Sequence, residues 1–262
     1  MGRLDQELVD RGFCDSREKA KRAVLAGEVR VNDQLARKPS DSVKPGDQLT
    51  LAAPERFVSR GGHKLEHALT HFQLDVNGWT AVDLGASTGG FTDCLLQHGA
   101  TKVFAVDVGQ GQLAWKLRKD PRVVVMEKTN ARDLTPDKLP TFGGAKLVVI
   151  DCSFISLRKI IPAAVALLAR SGKILALIKP QFEAGKREAD RGAGVIRDPA
   201  IHERVLRELK VFVETFGPAG KDPVSGGHGN APPLLRWMGV TESPILGPAG
   251  NKEFLTLVEK SG

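Results

Sequence analysis

The stretch AVDLGASTGGF, residues 81–91, runs from an apolar strand through a glycine-rich turn into the start of a helix. Such a turn brings backbone N–H groups and a helix N-terminus up to a ligand at the carboxyl edge of a sheet. It is not the dinucleotide pattern G-x-G-x-x-G, because position 87 is Ser and the spacing differs, and it lacks the G-K-[ST] ending of a phosphate loop. Asp83 on the strand and Asp107 at the end of the next strand suit a cationic, ribose-bearing ligand. A carboxylate at the position of Asp107 can accept from both ribose hydroxyls. Together these features favour S-adenosylmethionine over a purely structural turn.

Outward from this turn, WTAVDLG, KVFAVDV, RVVVME, AKLVVID and GKILALI read as short apolar strands. GGFTDCLLQHG, GQLAWKLRK, SLRKIIPAAVALLAR and AIHERVLRELKVFVETFG read as the helices that separate or follow them. This alternation predicts an α/β fold with a Rossmann-like, doubly wound parallel sheet. The tail, PLLRWMGVTESP and NKEFLTLVEK, offers two more strands with no full helix between them, so they are expected to pair antiparallel. Residues 217–233, rich in Gly and Pro, predict a mobile loop.

Within this framework LALIKPQFEAG, residues 175–185, sets a problem. An apolar strand ends at Ile178 and the next residue is Lys179, whose ammonium is costly to bury unless it is paired or gives up its proton. In a doubly wound sheet the strand carboxyl ends open onto one crevice. LVVID ends there at Asp151, Lys64 in SRGGHKL can return to the same edge, and Glu253 in GNKEFLTLV opens the last strand. Two lysines and two carboxylates beside a sulfonium methyl suit methyl transfer to a poor acid, a ribose 2′-hydroxyl. A neutral lysine accepts the proton; desolvation and Lys64 favour the amine at Lys179, whereas Asp151 and Glu253 oppose that and orient it.

The 262 residues carry a formal charge of +7, which makes an acidic partner plausible, nucleic acid first. Three scattered cysteines without a C-x-x-C fit a reducing cytosol and give neither a disulfide framework nor a zinc site. MGRLDQELVD is not a signal peptide, and the longest apolar run, IIPAAVALLA, is too short to span a bilayer. A cytoplasmic protein that makes no membrane contact is expected.

Residues 3–51 read as a separate α+β module. RLDQELVDRG places Leu4, Leu8 and Val9 on one helical face and stops at Gly12; DSREKAKRAVLAG, capped by Asp15 or Ser16, turns Ala20, Ala23 and Val24 inward and stops at Gly27. EVRVN and DQLTL follow as strands, with turns at Asn32-Asp33 and Pro45-Gly46-Asp47. Arg17, Lys19, Lys21 and Arg22 cluster on the second helix, by default a solvated face with local ion pairs. However, GRLDQELVDRGFCDSREKAKRAVLAGEVRVND resembles the S4 RNA-binding domain, on RLD, the SR…A helix and the G.V.VN strand, and this favours RNA contact.

Nearly the whole chain resembles the TlyA family, known both as hemolysins and as rRNA 2′-O-methyltransferases with an FtsJ-like catalytic domain. The resemblance rests on RFVSRGGHKL, DLGASTGGFTDCLLQ, DCSFISL, LIKPQFEAG, VIRDP and GPAGNKEF; residues 217–233 look like an insertion. It implies a Lys-Asp-Lys-Glu tetrad at Lys64, Asp151, Lys179 and Glu253. Candidate cofactor contacts are Asp83, Gly85, Ala86, Ser87, Thr88, Gly89, Gly90, Phe91, Asp107 and Asn130. Candidate RNA contacts are Arg3, Arg17, Lys19, Lys21, Arg22 and Arg60. The expected domains are an S4 module at 1–52, a linker at 53–62 and a methyltransferase domain at 63–262.

Other features read more plainly. His63, His67 and His71 form a helical stripe, but no acid or cysteine completes a metal set, so the stripe is expected to face solvent. Cys152 suggests a thiolate nucleophile for base methylation, yet no neighbouring base activates it and a small buried residue is the better reading. GKREADRGAGVIRDP, residues 185–199, is either an RNA clamp or a solvated loop. The reading reached is an S-adenosylmethionine-dependent 2′-O-methyltransferase acting on ribosomal RNA or a ribosomal subunit. A membrane-lytic protein and a non-catalytic RNA-binding assembly factor are the alternatives.

Overall fold

Leu4, Leu8, Ala20, Ala23 and Val24 share a small core with Val29, Val43 and Leu49, which draws two short helices onto a scrap of sheet. In this computed structural model, which describes residues 1–52, 55–185, 187–188, 192–217 and 234–261, these elements belong to the first of two compact units, Met1–Arg56 and Phe57–Gly262. The first unit comprises β1 (Gly2–Arg3), α1 (Leu4–Asp10), α2 (Arg17–Leu25), β2 (Val29–Val31), β3 (Gln34–Leu35), β4 (Ser42–Val43) and β5 (Leu49–Leu51). Ser16 caps α2 by accepting from the Lys19 N–H, and Gly12 and Gly27 follow the helices in the left-handed region. Asn32 and Asp33, both at positive φ, close a two-residue hairpin between β2 and β3, while β5 pairs the other side of β2. Asp5 is fully buried, and its carboxylate accepts from Arg3 Nε and Arg17 Nη2, each at 3.0 Å. The Arg3 guanidinium, opposed by burial and helped by Arg17, holds that carboxyl down at about 2. Asp5 therefore stabilises the unit above the ordinary carboxylate range, and this contribution is lost as pH falls toward that value.

The second unit begins with α3 (Gly61–His71), then β6 (Thr80–Leu84), α4 (Gly90–Gln97), β7 (Lys102–Val106), α5 (Trp115–Arg118) and β8 (Val123–Met126). It continues with β9 (Ala145–Ile150), α6 (Leu157–Leu167), β10 (Leu168–Ile178), α7 (Pro180–Glu183), α8 (Pro199–Glu214), β11 (Leu235–Glu242) and β12 (Phe254–Lys260). One seven-stranded sheet runs in the order β11-β12-β10-β9-β6-β7-β8. The pairs from β10 to β8 are parallel, and β12 is antiparallel to both of its neighbours.

Successive residues of the central strands feed opposite cores, which is why those strands are apolar without interruption. Val148 and Ile150 of β9 and Ile174, Ala176 and Ile178 of β10 pack with α6 and α8; Leu147, Val149, Leu175 and Leu177 pack with α3 and α4. Because the chain lays β7 and β8 on one side of β6 and β9 and β10 on the other, the order switches between β6 and β9. A crevice opens at that switch, beyond the strand carboxyl ends.

Several elements depart from expectation. The helix read over 111–119 is confined to Trp115–Arg118, because Gly111 sits at φ +73° and Ala114 is extended. Helix α6 stops at Leu167 instead of reaching Arg170; Leu168 turns extended and pairs with Ala145, with the register shifting before Lys173. Gly61 and Gly62 already belong to α3, and Phe57 is buried in the second core against Gly62, where a Cβ would lie 2.2 Å from the ring. The histidine stripe does not simply face water: His63 packs edge-on to Phe57, and His67 Nε2 lies 3.1 Å from Thr241 Oγ1 of β11. Of the loop expected at 217–233, all but residue 217 lies outside the described residues.

Asp83 on β6 is fully buried; Thr92 Oγ1 donates to its Oδ2 at 2.7 Å, and its Oδ1 accepts no hydrogen bond. Burial pushes the carboxyl up to about 7 against the pull of the Thr92 hydroxyl, and the charges of Asp151 and Asp107 add to the push. Unfolding returns it to an ordinary value of about 4. Between these values the folded chain holds a proton that the unfolded chain releases, so stability falls as pH rises. Asp83→Asn should flatten this slope: its thermal midpoints at about pH 5 and about pH 8 should lie closer together than those of the wild type. An equal or larger separation would contradict the assignment.

Candidate functional site

Two adjoining cavities occupy the crevice. The smaller, of about 270 Å³, is lined by Lys64, Asp151, Lys179 and Glu253 together with Arg60, Ser153, Pro248 and the glycine-rich turn. The larger, of about 440 Å³, lies over Asp107, Gln112 and Asn130, with Val106, Val108, Phe154, Ile155 and Ile160 as apolar walls. Gly85, Ser87, Asp151 and Ser153 belong to both.

The four charged residues line one cavity as two separate ion pairs. Lys64 Nζ donates to Glu253 Oε2 at 2.5 Å, and Lys179 Nζ lies 2.6 Å from Asp151 Oδ1 and donates to Ser153 Oγ at 2.8 Å. The Asp151 contact is a charge contact without hydrogen-bond geometry. Lys64, Lys179 and Glu253 are buried and Asp151 is half-buried. Each ammonium thus leaves water only beside its own carboxylate, the condition under which burial is tolerable. Lys179 is no chain end reaching for solvent.

Local structure explains each placement. Lys179 follows the last paired residue of β10 and precedes Pro180, which lacks the N–H to continue a ladder and begins α7. Asp151 follows β9, its N–H donating to Leu84 O of β6. Lys64 lies on the inward stripe of α3 with Leu65 and Ala68. Glu253 precedes β12, and because β12 is antiparallel its amino end, with Phe254 opposite Ile178, reaches the carboxyl edge of the parallel strands.

The turn is built by close approach. Gly85 sits at φ +89°, and a Cβ there would lie 2.8 Å from Asp151 O. The Ser87 and Gly109 N–H groups donate to opposite oxygens of Asp107 at 2.8 and 2.7 Å, which fixes that carboxylate at the wall of the larger cavity. Asn130 caps a short turn through Oδ1, accepting from Arg132 N. Gly85, Ala86, Ser87, Thr88, Gly90 and Phe91 line the smaller cavity, so the structure brings them together with the charged residues. Gly89 and Asp83 line neither: Gly89 packs against Leu113 and Leu117, and Asp83 lies inside the core.

Of the candidate RNA contacts, only Arg60 lies at these cavities, exposed at the rim of the smaller. In the first unit Arg3 and Arg17 are committed to Asp5, and Lys19 pairs with Asp15 at 2.5 Å. Lys21 and Arg22 form no ion pair among the described residues. The stretch 185–199 is described only in part; within it Asp198 caps α8 and Ile196 is buried. Cys152 donates to Leu84 O at 3.4 Å, and burial pushes its thiol up to about 12, which suits packing and not nucleophilic attack.

Sequence reading missed Ser153 and Gln112, which hydrogen-bond Lys179 and Ser87, and it missed Phe154. Phe154 is 90% exposed at φ +64° beside the larger cavity, its ring 5.2 Å from that of Phe182. An aromatic residue directly after the strand-end DCS was the available signal. Among the described residues no helix is long and apolar enough to cross a membrane, and no cluster of His, Cys, Asp and Glu could hold a metal ion.

Among known proteins, the FtsJ-like methyltransferase family matches residues 57–217 and the S4 domain matches residues 2–49. The 16S/23S rRNA (cytidine-2′-O)-methyltransferase TlyA of Mycobacterium tuberculosis is 44% identical over 256 residues, 96% of this chain and 87% of that protein. Hemolysin A of Brachyspira hyodysenteriae is 40% identical over 97% of this chain and 98% of its own length. A solved structure of a candidate hemolysin from Streptococcus thermophilus superposes with a TM-score of 0.71 at 41% identity, covering 99% of this chain and 88% of that one. The chain belongs to the TlyA family of FtsJ-like methyltransferases that carry an S4 domain.

Proposed function

We propose that this chain transfers a methyl group from S-adenosylmethionine to a ribose 2′-hydroxyl of ribosomal RNA. The observation that carries the reading is the Lys179–Asp151 pair in the smaller cavity, with Asp151 also in the wall of the larger one. One cavity can hold a nucleoside and the other is lined by paired lysines. The M. tuberculosis relative, named for 2′-O-methylation of cytidine in rRNA, makes a cytidine the first nucleotide to test.

The residues fit the cofactor. Apolar walls and the Asp107 carboxylate, fixed by two backbone N–H groups and retaining further lone pairs, suit an adenosine, and Gly85 leaves the floor of the turn open. Asp107 and Asn130 would hold the nucleoside, and the turn from Gly85 to Phe91 the remainder. When bound, the cofactor supplies a methyl on a positively charged sulfur that needs no further activation.

The chain's own task is then the proton. Lys179 acts as the base, in its amine form. Its Nζ, aimed by Asp151 and Ser153, takes the proton from the 2′-oxygen as that oxygen attacks. Lys64, fixed by Glu253, offers a fixed positive charge to the negative charge growing on the oxygen. Arg60 at the rim suits a backbone phosphate, and the S4 unit would grip structured RNA; an rRNA substrate places the protein in the cytoplasm.

Lys179→Ala should lower turnover by about 10²–10⁴-fold while cofactor affinity by calorimetry stays unchanged. Lys179→Arg, which keeps a charge that cannot be given up, should be equally impaired. Wild-type turnover in either variant would overturn Lys179 as the base.

A further inference from the structure

Glu253 is the most deeply buried of the four charged residues, 1% exposed, yet it belongs to neither helix nor strand. Its carboxylate must therefore be placed by the turn that precedes β12. We infer that Asn251 is the positioning residue for Glu253, locking this turn to the segment Gly194–Ile196, and that Gly247 provides the seat for its carboxylate. The inference rests on the proposed role of Glu253 and assigns what holds it.

Asn251 is 2% exposed and uses every polar group that faces the segment. Its Oδ1 accepts from the Ile196 N–H at 2.8 Å, and its Nδ2 donates to Gly194 O at 2.9 Å. Only a side-chain amide offers an acceptor and a donor in that spacing; a carboxylate would face Gly194 O without a proton, and an apolar residue would leave both backbone groups unpaired. The segment is anchored from its other side, since His202 Nε2 of α8 lies 3.0 Å from Ile196 O and the His202 ring packs against Phe254. The Asn251 backbone closes the turn by accepting from Gly247 N at 2.9 Å, and Ser243 N donates to Glu253 O at 2.8 Å. Contacts thus run from α8 through Ile196 to Asn251, and two residues along the backbone Glu253 carries the connection on to Lys64 of α3.

Gly247 adds an independent constraint. A Cβ at this position would lie 2.4 Å from Glu253 Oε1, and the nearest other group is Asn251 O at 3.6 Å. Its backbone is not in the left-handed region, so alanine is sterically allowed there and the only atoms that must move are those of the carboxylate. Adjacent Pro248 lines the smaller cavity.

The test is a double-mutant cycle on the full chain, with turnover on unmodified ribosomal RNA and cofactor affinity read for Asn251→Ala, Gly247→Ala, Glu253→Gln and each of the two combined with Glu253→Gln. Asn251→Ala and Gly247→Ala should each lower kcat on the order of 10²-fold with cofactor affinity unchanged. Neither should lower it further in the Glu253→Gln background, because the group they position is already gone. Gly247→Ala guards against a folding defect in Asn251→Ala. Equal losses with and without Glu253, or wild-type kcat in both single variants, would overturn the inference. Wild-type kcat in Glu253→Gln alone would instead remove the proposed role of Glu253 itself, and the inference with it.

Discussion

Everything at this crevice depends on the requirement that a buried ammonium keep a counter-charge. Removing one partner of a buried pair costs about 3–5 kcal/mol, because the survivor is left uncompensated. Lys64 and Lys179 are nearly sealed from water, so Glu253 and Asp151 must stand where they do. One of the two pairs joins distant parts of the chain: Glu253 lies 189 residues beyond Lys64. Folding of the sheet and assembly of the site are therefore one event in the second unit.

The strand order makes that meeting possible. Parallel β9 and β10 deliver Asp151 and Lys179 at their carboxyl ends, and β12 delivers Glu253 at its amino end because it runs the other way. An additional parallel strand would have brought its carboxyl end there instead. At the same edge the turn after β6 is held against the Asp151 backbone by Gly85, and Ser87 is tied to Asp107. One backbone approach thus joins the wall of the larger cavity to the wall of the charged one.

Much of this was legible because burial on both faces of a strand leaves a plain mark. VVI before Asp151 and LALI before Lys179 are runs that only a covered strand would carry, and a charge that ends such a run stands at the edge. The glycine-rich turn and its acid partner at Asp107 were legible for the same reason. The pairing among the four charged residues was not, because whether Lys64 faces Glu253 or Lys179 depends on how α3 packs, which spacing does not encode. The surroundings of Asp83, read as suiting a ligand, were not legible either: on β6 its side falls toward the α3–α4 core, and Thr92, nine residues on, donates to it. Helix ends were the weakest point, since Leu168 and Ala114 leave the helical region for pairing and packing reasons that lie elsewhere in the chain.

The most direct measurement is transfer of labelled methyl from S-adenosylmethionine to separated, unmodified ribosomal subunits, followed by alkaline hydrolysis of the RNA. A methyl on the 2′-oxygen removes the nucleophile for cleavage at its own nucleotide, so the account predicts label in alkali-resistant dinucleotides. Label in mononucleotides would place the methyl on a base and contradict a chemistry in which Lys179 takes a hydroxyl proton.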